Sequence, residues 1–236
     1  MLAVKPTRFE RQLSWLTERG YRGVTFSDLV MDRGEGKRVA VTFDDGYSSV
    51  MSKAVPVLAR LGWPATIFVP AALIGAGSPL AWLGTRQWLR TRHRGELEPL
   101  SWDELAALAA AGWEVGSHTL THPYLTAIDA AALDYELALA RLECEYRLRR
   151  DCTTVAYPYG DVDDNVVLAA RRAGYQTGAA LTARRRPVHS LEWPRVGVYR
   201  GDNLRRFRMK VSRSGRLMQR TGAGPAAPEA FARVGP

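Results

Sequence analysis

The chain has 236 residues, enough for one large domain with a substantial core. Its 46% hydrophobic and 24% charged residues read as a globular protein, and no apolar run reaches the roughly 18 residues of a transmembrane helix. The net charge of +9 raises nucleic acid as a partner, but the basic residues are spread out and not interleaved with aromatics in one stripe, so none is expected. A solvated arginine-rich surface accounts for the charge and leaves acidic glycans or a membrane surface open as partners. The two cysteines, Cys144 and Cys152, form no CxxC and imply neither a disulfide framework nor a structural zinc site. No signal peptide is visible in Met1-Leu2-Ala3-Val4-Lys5-Pro6, so the chain as written reads as cytoplasmic. Nothing in the sequence sets an oligomeric state.

Thr7 with Glu10 has the spacing of a capping box, and Phe9, Leu13 and Leu16 follow at helical spacing up to Gly20. Tyr21 to Leu29 is a weak strand or loop, and Asp32 to Lys37 a polar turn. Arg38 to Phe43 is an apolar, β-branched run, expected as a buried central strand that ends at Asp44-Asp45-Gly46. Ser48 to Leu61 reads as a helix that Pro56 should kink or delay. Ala65 to Val69 is the second buried strand, and residues 70 to 100 a long irregular connection. Ser101 with Glu104 caps a helix that Gly112 ends. Trp113 to Gly116 is the third strand, running into Ser117-His118. Asp129 caps a long helix to Arg149, and Thr153 to Ala156 is the fourth strand, running into Tyr157-Pro158-Tyr159-Gly160. Asp163 or Asp164 caps a helix ended by Gly174. Gln176 to Leu181 is the fifth strand, Arg195 to Tyr199 the sixth, and Asn203 to Ser212 a short basic helix. From residue 213 a Gly-, Pro- and Ala-rich basic tail is expected to be disordered, leaving 1–212 as the single catalytic domain.

Strands alternate with helices, so the fold class is α/β with a mainly parallel sheet, open or barrel-like. In such folds the C-terminal strand ends face one cleft. The polar residues at those ends, Asp44-Asp45, His118 and the Tyr157–Gly160 loop, should therefore converge. Asp44-Asp45-Gly46 alone serves as readily as an ordinary turn. Adjacent carboxylates repel each other, however, and a metal ion or a proton relieves the repulsion. His118 and His122 lie four apart, and Pro123 disfavours α geometry at His122, so a loop is expected. Two neutral imidazoles and one carboxylate make a three-ligand site with open positions, suited to Zn²⁺ and a water or to non-haem Fe(II). The second acid argues for hydrolysis, one carboxylate binding metal while the other takes a proton.

Thr42-Phe43-Asp44-Asp45-Gly46, His118-Thr119-Leu120-Thr121-His122-Pro123 and Tyr157-Pro158-Tyr159-Gly160 resemble, in order and spacing, the first three motifs of polysaccharide deacetylases, the NodB-homology group of carbohydrate esterase family 4. The layout is similar over roughly residues 5 to 200, and the motif style is closest to the exopolysaccharide poly-N-acetylglucosamine deacetylases. The resemblance implies a distorted (β/α) barrel and metal-dependent hydrolysis of the N-acetyl group of a sugar in a polysaccharide or glycoconjugate, with release of acetate. It implies a divalent metal, with zinc first, held by Asp45, His118 and His122. Asp44 becomes the general base. The backbone N–H of Tyr159 becomes the oxyanion donor, and Pro158 shapes the groove wall. An N-acetylated glycan is the expected partner.

Two departures stand out. Many members place a base-orienting arginine two residues before the proline of the third motif, where this chain has Ala156. Arg195 could take that role by pairing with Asp44, against the plainer reading of a surface arginine. The family's general acid, a late histidine, has no counterpart in Val196-Gly197-Val198-Tyr199-Arg200. In circularly permuted relatives it sits in an N-terminal strand followed by a segment like Ala3 to Phe9. On this count the barrel is incomplete, its first strand missing at the N-terminus, which the upstream DNA would test. His93 and His189 are the substitute acids, each read more simply as a surface residue. Trp82, Trp88 and Trp193 could stack on sugar rings or anchor loops. Two rivals follow: hydrolysis of another linear or cyclic amide on the same scaffold, for which a closed pocket would speak, and a glycan-binding module impaired by the lost acid. Asp44 argues against the second, because a binder needs no base.

Overall fold

The computed structural model describes residues 4–31, 33–82, 85–181 and 189–212. In chain order the elements are α1 (Pro6–Thr17), β1 (Tyr21–Val24), α2 (Phe26–Val30), β2 (Lys37–Ala40), β3 (Thr42–Phe43), α3 (Val55–Arg60), β4 (Thr66–Val69), α4 (Trp102–Ala110), β5 (Glu114–Ser117), α5 (Ala130–Leu148), β6 (Thr154–Ala156), α6 (Asp164–Arg172), β7 (Thr177–Ala180), β8 (Trp193–Pro194) and α7 (Leu204–Val211). The expected tail from residue 213 lies outside the described residues.

Six parallel strands form one curled sheet in the order β3-β4-β5-β6-β7-β8. It is a distorted, incomplete (β/α) barrel. Strands β4, β6 and β7 are buried at every residue, as parallel strands with cover on both faces should be. On the outer side, Leu58 of α3, Leu105 of α4, Leu137 of α5 and Val166 of α6 belong to the main apolar core. On the inner side a smaller cluster of Phe26, Phe68, Ala156 and Ala179 fills the hollow of the sheet, with Phe26 and Phe68 packed edge to face at 5.8 Å.

The caps account for most helix starts. The Ser101 hydroxyl accepts from the Glu104 N–H while Glu104 returns to Ser101, a complete capping box. Asp129, Asp163 and Asn203 each accept an N–H of the first turn. At α1 the expected box does not form. Pro6 sets helical φ one residue earlier, Thr7 falls inside the first turn, and Glu10 bonds Arg60 at 2.6 Å instead. Pro56 acts as expected: it has no N–H for the preceding turn, which opens into a π-type segment, Val50–Ala54, before α3.

Two strands differ from expectation. The run Arg38 to Phe43 is not one buried central strand. It divides at Val41: β2 pairs with β1 in a separate two-stranded sheet, and β3 pairs with β4 at the edge of the main sheet. Serving two partners costs it continuity and leaves both pieces only partly buried. The sixth strand is Trp193–Pro194 and not Arg195 to Tyr199. Pro194 has no N–H to extend pairing, and after a last bond from the Arg195 N–H to the Ala180 carbonyl, residues 195–199 follow as irregular chain. No helix among the described residues is long and apolar enough to cross a membrane.

Candidate metal centre and active site

The parallel sheet delivers the strand-end residues to one place. Strand β3 runs straight into Asp44-Asp45, β5 into His118, and β6 into Tyr157-Pro158-Tyr159. Asp45, His118 and His122 each present a ligand atom, and these atoms lie within 4.8 Å of one another. The Asp45 carboxylate Oδ1 is 3.6 Å from His118 Nε2 and 3.2 Å from His122 Nε2. A tetrahedral ion with bonds of about 2.0–2.1 Å needs donors about 3.4 Å apart. The two Asp45–histidine separations therefore match those around a small tetrahedral divalent ion.

Both imidazoles are buried. His118 Nδ1 donates to the Ala156 carbonyl at 2.8 Å, which fixes the tautomer and leaves Nε2 as an acceptor facing Asp45. Burial pushes the His118 pKa below the usual 6.5, so the ring is neutral, as a ligand must be. His122 Nδ1 has no hydrogen-bond partner among the described residues. Its ring is held by flat contact instead: Trp82 stacks on it at 3.9 Å, with 8° between planes. Tyr159 meets the same ring edge-on at 4.7 Å and stacks on Tyr124 at 4.0 Å.

Asp44 faces different neighbours. The Arg195 guanidinium grips it in a bidentate pair, Nη1 to Oδ1 at 2.7 Å and Nη2 to Oδ2 at 2.9 Å. The same Nη1 lies 3.0 Å from the Thr42 hydroxyl, so Arg195 spans from the β8 edge of the sheet to the β3 edge. Burial raises the Asp44 pKa, but Arg195, His118 and His122 more than offset this and hold it at about 2. Burial, with Tyr124 and Asp45 nearby, pushes the Tyr159 phenol up to about 12.

The backbone here is strained. Asp45, Thr119, His122 and Tyr159 all sit at φ of 59–70°, in the left-handed region that non-glycine residues avoid. Tyr159 takes this conformation at the tip of the turn after β6, just after the buried Pro158.

The structure thus gathers Asp44, Asp45, His118, His122, Pro158, Tyr159 and Arg195 at one end of the sheet. The substitute acids stand apart. His93 bonds Glu96 at 3.0 Å, and His189 caps the turn Ser190–Glu192 and bonds Arg171. Trp193 packs on the inner cluster, Trp88 is half-buried in the turn Arg86–Arg90, and only Trp82 touches the site. Two contributors do not stand out in the sequence, Tyr124, which stacks on Tyr159, and Glu136. Glu136 is buried on α5 and bonds the loop between the two histidines. Its signal was in the sequence, a lone acid within the apolar stripe Leu133, Leu137, Ala140.

The polysaccharide deacetylase family model matches residues 32–178, which contain both acids, both histidines and the Pro158-Tyr159 turn. YxkH of Bacillus subtilis (strain 168) is 28% identical over 182 residues, covering 75% of this chain and 58% of that protein. The poly-β-1,6-N-acetyl-D-glucosamine N-deacetylase of Escherichia coli (strain K12) is 21% identical over 248 residues, covering 89% of this chain but 36% of its own. This chain therefore spans only part of the length of these relatives. Among solved structures, IcaB from Ammonifex degensii superposes with a TM-score of 0.71 at 26% identity, over 86% of this chain and 88% of that one. With more than half of its length matched and the matched motifs meeting at one cleft, the chain belongs to the polysaccharide deacetylase family.

Proposed function

We propose that the protein hydrolyses the N-acetyl group of an N-acetylated sugar in a polysaccharide or glycoconjugate, releasing acetate in a metal-dependent reaction. The observation that carries this reading is the unlike treatment of two adjacent acids. Asp45 points at the Nε2 atoms of two buried histidines, while Asp44 is held by Arg195 and belongs to no ligand set among the described residues. A pure binding site has no use for the second arrangement.

Asp45, His118 and His122 would hold a divalent ion, for which two imidazoles and a carboxylate favour zinc; the ion would supply Lewis acidity to a water and to the acetyl carbonyl. Asp44 accepts the proton of the attacking water, and the bidentate Arg195 fixes the carboxylate's direction and keeps it ionised. The Tyr159 N–H, on the left-handed turn after β6, would donate to the oxygen of the tetrahedral intermediate. Pro158 and the Trp82 and Tyr124 rings wall the approach, where flat faces suit the C–H faces of a pyranose.

A β-1,6-linked N-acetylglucosamine oligomer is the first substrate to try, since the Escherichia coli relative is named for that polymer. Zinc-loaded protein should release acetate from it, lose activity to a chelator and recover on zinc addition. Asp44→Asn should keep its zinc and lose about 10²–10⁴-fold in rate. Zinc uptake without acetate from any oligomer, and equal glycan affinity in both proteins, would instead establish a binding module.

A further inference from the structure

The segment from His118 to His122 has every backbone N–H bonded. The His118 N–H donates to the Val69 carbonyl, the Thr119 N–H to the Ser117 hydroxyl, and the His122 N–H to the Thr119 hydroxyl. The two N–H groups between the histidines, those of Leu120 and Thr121, go to one oxygen, Oε2 of Glu136, at 2.9 Å each. The Thr121 hydroxyl donates to the other oxygen, Oε1, at 2.5 Å. The carbonyls of Thr119 and Leu120 accept from Ala71 and Ala72, at the end of β4.

A buried carboxylate is costly unless its lone pairs are filled. Glu136 is only 8% exposed and lies among apolar neighbours of α5. It pairs with no cation among the described residues, and the hydrogen bonds it accepts there come from Leu120 and Thr121. Successive N–H groups turned to one side form a concave anion seat, which the left-handed Thr119 creates. The left-handed strain at Thr119 and His122 persists only where the surroundings over-determine the conformation. Glu136 is the part of those surroundings that grips the midpoint between the two imidazoles.

We propose that Glu136 is a positioning residue for the metal centre: by clamping the Leu120-Thr121 turn it sets the spacing of His118 and His122, and so the affinity for the ion. The proposal rests on the reading of Asp45, His118 and His122 as metal ligands. Glu136 itself touches neither the ion's place nor the substrate's.

The test is zinc affinity by competition with a chromophoric chelator, on protein shown to be folded by circular dichroism, beside the metal-free Tm. Glu136→Gln keeps the shape but loses the charge and an acceptor, and should weaken zinc binding about 10–100-fold. Glu136→Asp keeps the charge but retracts it by one methylene, and should weaken binding as well. At saturating zinc both variants should recover kcat with KM unchanged. A lower metal-free Tm with unchanged zinc affinity would make Glu136 merely structural and overturn the proposal. So would weak binding by the Gln variant alone, which would reduce its role to charge. Should Glu136→Gln fail to fold, Thr121→Val, at an exposed position, removes only the hydroxyl bond: a several-fold loss of affinity supports the proposal and no loss overturns it. Wild-type protein that takes up no zinc would sink the metal reading together with this one. Tight wild-type binding matched by Glu136→Gln would sink this one alone.

Discussion

The two ends of the main sheet use the same rare backbone conformation with different residues. Where helices turn into strands, at the N-terminal end, the left-handed positions are Gly62, Gly112 and Gly174, at φ of 64°, 87° and 94°. Glycine takes that region without steric cost. Where strands open into loops, at the C-terminal end, Gly46 and Gly160 are left-handed as well, but a second set there is not glycine: Asp45, Thr119, His122 and Tyr159. The first set serves chain reversal alone. The second carries the Asp45 and His122 side chains of the candidate metal centre and the turn at Tyr159, and it is held by contacts from outside, as Glu136 and Trp82 hold the histidine loop. Arg149, at φ 53° between α5 and β6, is the exception at the glycine end.

The sharpest way to break this contrast is at Asp44. Arg195→Gln should lower the rate on the order of 10²-fold, the lower end of what a positioned base contributes, and move the acid limb of the pH–rate profile upward, because burial then acts on Asp44 without its counter-charge. The same pair predicts a pH dependence of stability. The folded pKa of about 2 lies below the usual 3.8, so the stabilisation is complete above about pH 4 and lost as pH falls through 2. The Tm advantage of wild type over Arg195→Gln should shrink across that interval; an advantage unchanged from pH 5 to pH 2 would refute the pairing.

At the other end the expected effects are on stability alone. Gly112→Ala meets no atom within 4 Å, so its cost is the backbone conformation, about 1–2 kcal/mol, read as a Tm lowered by a few degrees with acetate release unchanged. Arg149→Gly should run the opposite way. Its helix-ending N–H bond to Glu145 stays, the left-handed strain goes, and Tm should rise by the equivalent of about 0.5–1 kcal/mol. A loss of stability there would mean that the left-handed position is not strained at this end.

The order of most elements was legible because each helix start at Ser101, Asp129, Asp163 and Asn203 carries its own cap and the central strands, such as Thr66–Val69 and Thr154–Ala156, are short and largely apolar. The site was legible for a related reason: in a parallel sheet, residues just past strand ends share a cleft wherever they fall in the chain. What the sequence could not show is curvature. Nothing local to Arg195 says that the β8 edge bends round to Thr42 and Asp44, so the sequence favours the plain reading of a surface arginine. The division at Val41 was hidden because one apolar run serves two sheets. The sequence leaves Trp82 open to sugar stacking or loop anchoring, and its contact with His122 depends on the path of an irregular connection that has no periodicity to read.

The long span of the Arg195–Asp44 pair has a consequence for the order in which the site is assembled. The three ligand side chains are all present in a nascent chain once His122 has been added. The guanidinium for Asp44 comes from the far side of the curled sheet, 151 residues after its partner. At about 5–20 residues per second the ribosome takes on the order of 4–15 s to travel from His122 to Arg195. For that interval a growing chain has Asp45, His118 and His122 but not the guanidinium that grips Asp44, and that grip forms only when the last strand of the sheet arrives.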